Sequence, residues 1–194
     1  MKKILTIGIC LFCIQIAAAQ EATLFSGKMT HGGYGASQLR ISQLNGETAI
    51  LTGWRGAWIA NKTFVLGWSN IELISDDNTA PVLLDGQPGT VDMEYRGPLI
   101  GLIIGSDRLV HFTVDAVIGW GKVHYRLRNE EWDWEEDNFF VFTPELGLEF
   151  NIIPWMRLVI SGGYRLITDV EMDGLTGRDL SGFTGGVTLK FGKF

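Results

Sequence analysis

The strands of this chain alternate in the opposite sense to those of a water-soluble sheet. In residues 156–166 the even positions are apolar, aromatic or glycine, whereas the odd positions include two arginines. Residues 139–150 repeat the pattern, with two glutamates on the odd face. Successive side chains of a strand point to opposite faces, so a soluble sandwich would have to bury these charges. A closed barrel in lipid accommodates both faces, because lipid solvates the outer one and the lumen holds the charges.

The start of the chain has the pattern of a secretory signal peptide. Lys2 and Lys3 precede an apolar stretch over 4–16, and small residues ending at Ala19 provide a cleavage site. The stretch is too short for a membrane-spanning helix. We therefore expect a signal peptide over 1–19, cleavage near Ala19 and one outer-membrane β-barrel domain over 20–194. A buried N-terminal helix is the alternative.

Composition excludes several classes of partner and site. The net charge is −6, which argues against a nucleic-acid partner because such a partner requires a basic face. Both cysteines, Cys10 and Cys13, lie in the predicted signal, so we expect no disulfide and no cysteine metal ligand in the mature chain. No apolar run long enough for a helical span follows the signal. With 25 glycines, the chain is predicted to be all-β with many turns.

Alternation and turn residues predict an eight-stranded antiparallel up-and-down transmembrane β-barrel. The second, fourth and sixth connections are short, whereas the third, fifth and seventh are long, which is the asymmetry of outer-membrane barrels. Pro98 and Pro144 fall inside strands, where each predicts a β-bulge or a break in pairing. The predicted strands are 33–43, 47–59, 63–75, 90–104, 109–125, 139–151, 156–168 and 182–193.

The same alternation predicts a lumen lined by charges of both signs. Near-equal numbers of cations and anions predict mutual pairing, since an unpaired charge in so narrow an interior is costly. Eight strands enclose a space that side chains can just fill. We therefore expect a charge-plugged scaffold rather than an open pore. The predicted lumen network is Arg40, Arg55, Asp92, Glu94, Arg96, Asp115, Glu145, Glu149, Arg157, Arg165 and Lys190.

The most distinctive predicted loop is 126–138, which reads RLRNEEWDWEEDN. Its carboxylates could bind calcium through oxygen ligands, although no EF-hand spacing is present. A solvated, self-repelling acidic tip is the favoured alternative. Two large aromatic side chains in a loop suggest a binding surface or contact with lipid headgroups. The surface-loop binding candidates are Trp132, Asp133, Trp134, Glu135, Glu136 and Asp137.

No reactive constellation is evident in the sequence. His111 would share a strand face with Thr113 and Asp115, but side chains two positions apart are about 7 Å from one another. A hydrogen-bonded interior histidine is therefore the expected state. Neither a phosphate-cradling glycine loop nor a nucleophile elbow nor a metal-ligand cluster is present. We predict no catalytic residue, no metal and no cofactor, and a protein that is not an enzyme.

Five segments resemble those of a family of small outer-membrane β-barrel proteins from Gram-negative bacteria of the Bacteroidetes type. The resemblance implies an eight-stranded barrel like those of outer membrane protein A and outer membrane protein X. It also implies outer-membrane lipid and the barrel-assembly machinery as partners. The segments are HGGYGA (31–36), GWRGAWIANKTFVLG (53–67), SDRLVHFTVDAVIGWG (106–121), FFVFTPELGLEFNIIPWMRLVISGGYRL (139–166) and DLSGFTGGVTLKFGKF (179–194).

The C-terminal Phe194 resembles the terminal aromatic residue by which such barrels are recognised for insertion. However, Val187, Leu189 and Phe191 form the predicted outward set, which leaves Phe194 out of phase. We expect Phe191 and Phe194 to share the insertion signal. A structural or surface-interaction role in the outer membrane is the preferred hypothesis, with an unknown extracellular ligand. A small pore or transport component is the first alternative, and a lipid-modifying enzyme the second.

Overall fold

The computed structural model describes residues 29–44, 46–74, 81–84, 87–127, 134–170, 172 and 175–194. The predicted signal peptide and the loop residues Trp132 and Asp133 lie outside this part of the chain. For Trp134 and Glu135 the backbone alone is described. Among the described residues, no helix is long and apolar enough to cross a membrane.

Nine strands and one short helix make up the described chain. Every strand pairing is antiparallel, and β3 pairs with β5 to join the two ends of the sheet. The wall is therefore a closed barrel of eight strands, and the predicted fold is confirmed. β4 is a four-residue strand that forms a hairpin with the start of β5. The elements are β1 His31–Leu44, β2 Glu47–Ala60, β3 Phe64–Leu73, β4 Pro81–Leu84, β5 Gln87–Ile104, β6 Val110–Leu127, β7 Trp134–Ile153, β8 Met156–Thr168, α1 Gly177–Leu180 and β9 Gly182–Lys193.

The connections sort to the two ends of the barrel as predicted. The β2–β3, β5–β6 and β7–β8 connections are short and share one end, called here the short-turn end. The other end, called the long-loop end, carries the longer connections and the tight turn at Gly46. Asn61 and Lys62 both have positive φ, at 51° and 55°, as the two central residues of a type I′ turn require, and the Thr63 N–H donates to the Ala60 carbonyl at 3.0 Å. The barrel thus has two unlike ends.

The middle of the wall has apolar side chains outside and charges inside, and we call it the middle belt. Its buried charged side chains are Arg40, Arg55, Asp115, Glu145, Glu149, Arg157 and Lys190. Leu39, Leu146 and Phe183 are 55%, 68% and 70% exposed, whereas Arg40 and Glu145 are buried. On β6 the outward face is apolar from Val110 to Trp120. Ten residue steps of about 3.3 Å, tilted by about 40°, rise about 25 Å, which matches the apolar band of an outer-membrane barrel.

At the long-loop end the wall is polar outside and apolar inside. Here the lumen is filled by apolar side chains from every barrel strand except β9, together with residues of the 169–181 segment. We call this the loop-end belt. Its interior consists of Leu44, Ala49, Leu51, Ile71, Leu73, Val91, Met93, Tyr95, Val123, Phe139, Val141, Ile167, Met172, Leu175 and Leu180.

The predicted inward direction of Asp92, Glu94 and Arg96 is wrong. Glu94 and Arg96 are exposed and Asp92 is half-buried on the outward face of β5, while Met93 and Tyr95 are buried. The prediction took the charged face of every strand to be the lumen. It failed because β5 rises beyond the apolar band, where an ordinary polar exterior costs nothing.

Both strand prolines interrupt pairing without changing the register. The β5–β6 ladder runs to Arg96 opposite Trp120 and resumes at Leu99 opposite Val117. The β7–β8 ladder omits Thr143 and Pro144 in the same way. A proline has no N–H to donate, so one neighbour loses its bond. The predicted break in pairing is confirmed at both sites, and the register shift lies instead between Asn151 and Ile153.

Described residues of two predicted long loops belong to strands or to the barrel interior. β6 and β7 extend to Leu127 and from Trp134, so Glu135, Glu136 and Asp137 lie in a strand rather than a loop. The 169–181 segment turns into the barrel mouth, where Met172, Leu175 and Leu180 are buried. Cross-strand pairing explains the first difference, and apolar side chains among the acidic ones explain the second.

Candidate functional site

The first interior cluster is built around Glu145 in the middle belt. Arg55 Nη2 donates to both carboxylate oxygens at 2.8 Å, and Arg40 Nη1 lies 3.0 Å from Oε1. Arg55 Nη1 also lies 3.7 Å from Asp115 Oδ2. All four side chains are buried. Charge-assisted hydrogen bonds from two arginines to one carboxylate offset part of the cost of burying these charges.

Arg40 reaches Glu145 by crossing two strands. It starts on β1, Glu145 lies on β7, and β9 and β8 stand between them. Gly186 on β9 provides room, since a Cβ there would lie 3.0 Å from Arg40 Cγ. Gly163 on β8 does the same, since its Cβ would lie 3.1 Å from Glu145 Cγ. On the way, Arg40 Nε donates to Thr184 Oγ1 at 3.2 Å.

The second cluster is built around Glu149. Arg157 Nη1 donates to Oε1 at 2.7 Å and Lys190 Nζ to Oε2 at 2.6 Å, while His111 Nε2 lies 3.0 Å from Oε1. The other ring nitrogen of His111 lies 3.1 Å from the Arg108 carbonyl oxygen. Both ring nitrogens of His111 therefore face acceptors, which is a structural arrangement rather than that of a catalytic base beside a nucleophile.

Arg165 is the third interior site. It is fully buried, its Nε donates to the Leu180 carbonyl at 3.0 Å, and its Nη2 donates to the Gln43 carbonyl at 3.0 Å. It thereby ties α1 and the end of β1 to β8. No carboxylate pairs with it among the described residues. The predicted balance of charges is wrong, because the outward direction of Asp92, Glu94 and Arg96 removes two anions and one cation and leaves five buried Lys or Arg side chains with three carboxylates.

The two C-terminal phenylalanines take opposite sides of the wall. Phe191 is outward and 45% exposed, and its ring stacks on Trp155. Phe194 instead packs against the apolar residues inside the short-turn end. Its ring stacks on Tyr34, and the Arg157 guanidinium lies 4.0 Å from its centroid. The phase difference seen in the sequence therefore places Phe194 at the mouth of the lumen.

The extensions of β6 and β7 carry those predicted surface-loop residues that the structure describes. Glu136 on β7 forms an ion pair with Lys122 on β6, and its other oxygen lies 3.2 Å from His124 Nε2. The hydrogen bond and charge of Lys122 hold the pKa of Glu136 below its usual range. Asp137 Oδ1 accepts from the Asn138 amide at 2.8 Å. The described residues contain no group of His, Cys, Asp and Glu side chains that could hold a metal ion.

Sequence reasoning missed several lumen residues. Tyr34 was not considered, yet it is buried and lies under the Lys190 ammonium, 4.7 Å from its ring centroid to Nζ. The apolar interior of the loop-end belt was missed as well. The signal for both was present in the alternation: Tyr34 is in phase with Arg40, and Met93 and Tyr95 are in phase with Leu99 and Ile103.

Comparison with solved structures identifies the same architecture elsewhere. Neisserial surface protein A superposes with a TM-score of 0.61 over 87% of this chain and 100% of its own, at 9% identity. Ail, the attachment invasion locus protein of Yersinia pestis, gives 0.50 over 84% and 97%, at 14% identity. Both are small outer-membrane barrels. No protein-family model and no curated protein sequence matches the chain. At such identities the likeness shows the fold.

Proposed function

We propose that this protein is a non-conducting outer-membrane barrel of Gram-negative, Bacteroidetes-type bacteria. Its role is to present a surface-exposed segment to an extracellular partner. The predicted signal peptide, cleaved near Ala19, would direct export. The barrel-assembly machinery would then insert the domain into outer-membrane lipid. The observation that carries this proposal is the polarity of the middle belt, with large apolar side chains outside and buried ion pairs inside.

The membrane location is tested by fractionation and by gel migration. We expect the full-length protein in the outer-membrane fraction and a folded band that migrates differently from the boiled one. Recovery of the protein in the soluble periplasm would contradict the proposal. A matched control is Leu146→Ser, which keeps the inner face intact and removes one large group from the outer face, where Leu146 is 68% exposed. We expect this control variant to remain in the outer-membrane fraction.

The proposal of a closed lumen is supported by two groups of side chains that occupy it at successive heights. The Glu145 and Glu149 clusters occupy the middle belt, and apolar side chains fill the loop-end belt. Planar-bilayer recording of the purified wild type should therefore show no stable ion-conducting state. A large and stable conductance in that measurement would favour the alternative, a small pore or transport component.

The interaction role is supported by how the chain continues past the apolar band. The β6–β7 ribbon rises beyond Trp120 with a polar exterior that includes Lys122 and Glu136. Connections displayed on a rigid frame are where binding residues concentrate. We assign the surface contact to the segment that joins these strands and to the adjoining ribbon, with Trp132, Asp133, Trp134, Glu135, Glu136 and Asp137 as its candidate residues.

The surface role is tested by shortening the connection and measuring binding. Residues 128–132 are replaced by Asn-Gly, which favours a two-residue hairpin turn and keeps the register in which Arg126 lies opposite Trp134. We expect the barrel to fold, as judged by gel migration, and binding to host cells or matrix to fall at least tenfold. A second variant, Trp132→Ala with Trp134→Ala, separates aromatic contact from loop length. Unchanged binding by both variants would contradict the assignment.

A further inference from the structure

Three buried arginines of the lumen, Arg40, Arg55 and Arg165, retain an N–H group without an acceptor, and Arg40 and Arg165 retain one at the end of the guanidinium. Arg40 is 1% exposed and its Nη2 has no hydrogen-bond partner, and Arg165 is fully buried with an unpartnered Nη1. The Tyr95 hydroxyl lies near the Arg165 guanidinium, but Nη1 forms no geometrically acceptable hydrogen bond. Leaving a charged donor unsatisfied in a buried position is more costly than leaving a neutral one. Such donors require a partner that the described side chains do not supply.

Neighbouring hydroxyl groups are unpartnered in the same region. Thr143 Oγ1 and Ser161 Oγ are both buried and without a partner among the described residues. Thr143 lies on β7 opposite Arg165 on β8, at the interruption caused by Pro144. Ser161 lies on β8 opposite Gly186, and Gly186 is the residue over which Arg40 passes. The four groups therefore belong to one stretch of wall formed by β1, β9, β8 and β7.

The charge of the interior favours an anion over water as the missing partner. Five buried Lys or Arg side chains face three buried carboxylates, so the described interior carries an excess of two positive charges. Arg40 and Arg165 also repel one another. Water would satisfy the donors but would leave this excess in place, whereas a bound anion would accept from the donors and offset part of the excess. Glu145 opposes an anion here, but Arg40 Nη1 and Arg55 Nη2 already neutralise its oxygens.

We propose that the lumen binds a small monovalent anion of halide size between Arg40 and Arg165, with Thr143 as a third donor. The ligand is small because eight strands leave an interior that side chains nearly fill. The anion is a structural partner of the barrel wall. This inference concerns the interior and is independent of the proposed surface role, so either can fail without the other.

The test measures whether halides stabilise the folded barrel. The protein is folded in a nonionic detergent, and its thermal unfolding is followed by tryptophan fluorescence in sodium bromide and in sodium gluconate at equal ionic strength. Gluconate is a bulky organic anion and serves as the control for ionic strength. We expect bromide to raise the unfolding midpoint by about 3 °C, with a shift that grows with the logarithm of the bromide concentration above its Kd, as for a ligand specific for the folded state. Equal midpoints in the two salts would overturn the proposal.

Variants locate the effect, and diffraction identifies the atom. In Arg165→Gln the bromide effect should vanish, and in Thr143→Val the bromide concentration that gives the same midpoint shift should rise about tenfold, which corresponds to one lost hydrogen bond to a charge. Arg96→Gln, on the exposed outer face, should behave like the wild type. A bromide-soaked crystal should show an anomalous peak between Arg40 and Arg165. A water molecule at that position without anomalous signal, or a bromide effect that persists in both site variants, would overturn the proposal. If Arg165→Gln does not fold, Thr143→Val and the wild-type crystal still decide.

Discussion

A single strand, β7, passes through two environments that place opposite demands on it. At its start, in the loop-end belt, the inner face carries Phe139 and Val141, and the outer face carries Glu136. Further along, in the middle belt, the inner face carries Glu145, and the outer face apolar groups. The phase of the strand does not change between the two regions. What changes is the surroundings of the outer face, from water to the lipid we propose.

The comparison shows what each belt contributes. The loop-end belt resembles an ordinary soluble core, in which burial of apolar surface is the main stabilising term. The middle belt gains little from its inner face, because the desolvation of buried charges offsets much of their attraction. We infer that the ion pairs of the middle belt chiefly fix which residues face inward, and that the loop-end core seals the lumen. Matched substitutions in the two belts should therefore differ in how much they destabilise the barrel.

The largest effect is expected from Glu149→Gln in the middle belt. This change leaves Arg157, Lys190 and His111 around a neutral group, and breaking a buried ion pair costs about 3–5 kcal/mol. Glu94→Gln is the matched control, because Glu94 is exposed on the outer face of β5 and should cost less than about 0.5 kcal/mol. Urea unfolding in lipid vesicles measures both. Equal losses in the two variants would contradict the difference between the belts.

The second effect concerns the outer face. Leu146→Arg puts a cation near the middle of the apolar band and should cost about 2–4 kcal/mol in vesicles. Glu72→Arg places the same side chain on the outer face of the loop-end belt, opposite Glu94, and should be neutral or slightly stabilising. The same unfolding assay applies. A Leu146→Arg variant as stable as the wild type in lipid would argue against a membrane-embedded middle belt.

The sequence predicts the direction of side chains better in the middle belt than in the loop-end belt, because the surroundings of the outer face differ between them. In β7 and β8 the alternation is complete, and the sequence correctly predicted a closed eight-stranded barrel. The direction of Asp92, Glu94 and Arg96 was mispredicted because alternation identifies two faces but does not say which one meets lipid at a given height. The pairing partners of Glu149 could not be predicted either. Arg157 and His111 come from neighbouring strands and Lys190 from the strand beyond, and the register of these four adjacent strands, which the alternation does not specify, brings them together.

The third prediction separates the two terminal aromatic residues at the short-turn end. Phe194→Ala removes the contacts with Tyr34 and Arg157 and should cost about 1–2 kcal/mol after folding, with normal insertion. Phe191→Ala removes the outward ring beside Trp155, and we expect it to slow insertion into the outer membrane instead. Pulse-chase gel migration reports insertion, and urea unfolding reports stability. Slower insertion with Phe194→Ala alone would reverse the two roles.

The smallest effect is expected from the ion pair of the β6–β7 ribbon, which lies in water. Lys122 lowers the pKa of Glu136, so any stabilisation is present above the unfolded-state pKa of about 4.3 and is lost as the pH falls through the folded-state value. Because both side chains are nearly half exposed, solvent screens the pair, and Glu136→Gln should leave the unfolding midpoint unchanged at pH 7. A carboxyl NMR titration in micelles should give a Glu136 midpoint below the usual glutamate range, and Lys122→Met should raise it. An unshifted midpoint in the wild type would mean that Lys122 and Glu136 do not pair in solution, and a clear loss of stability in Glu136→Gln would mean that solvent screens this pair less than its exposure indicates.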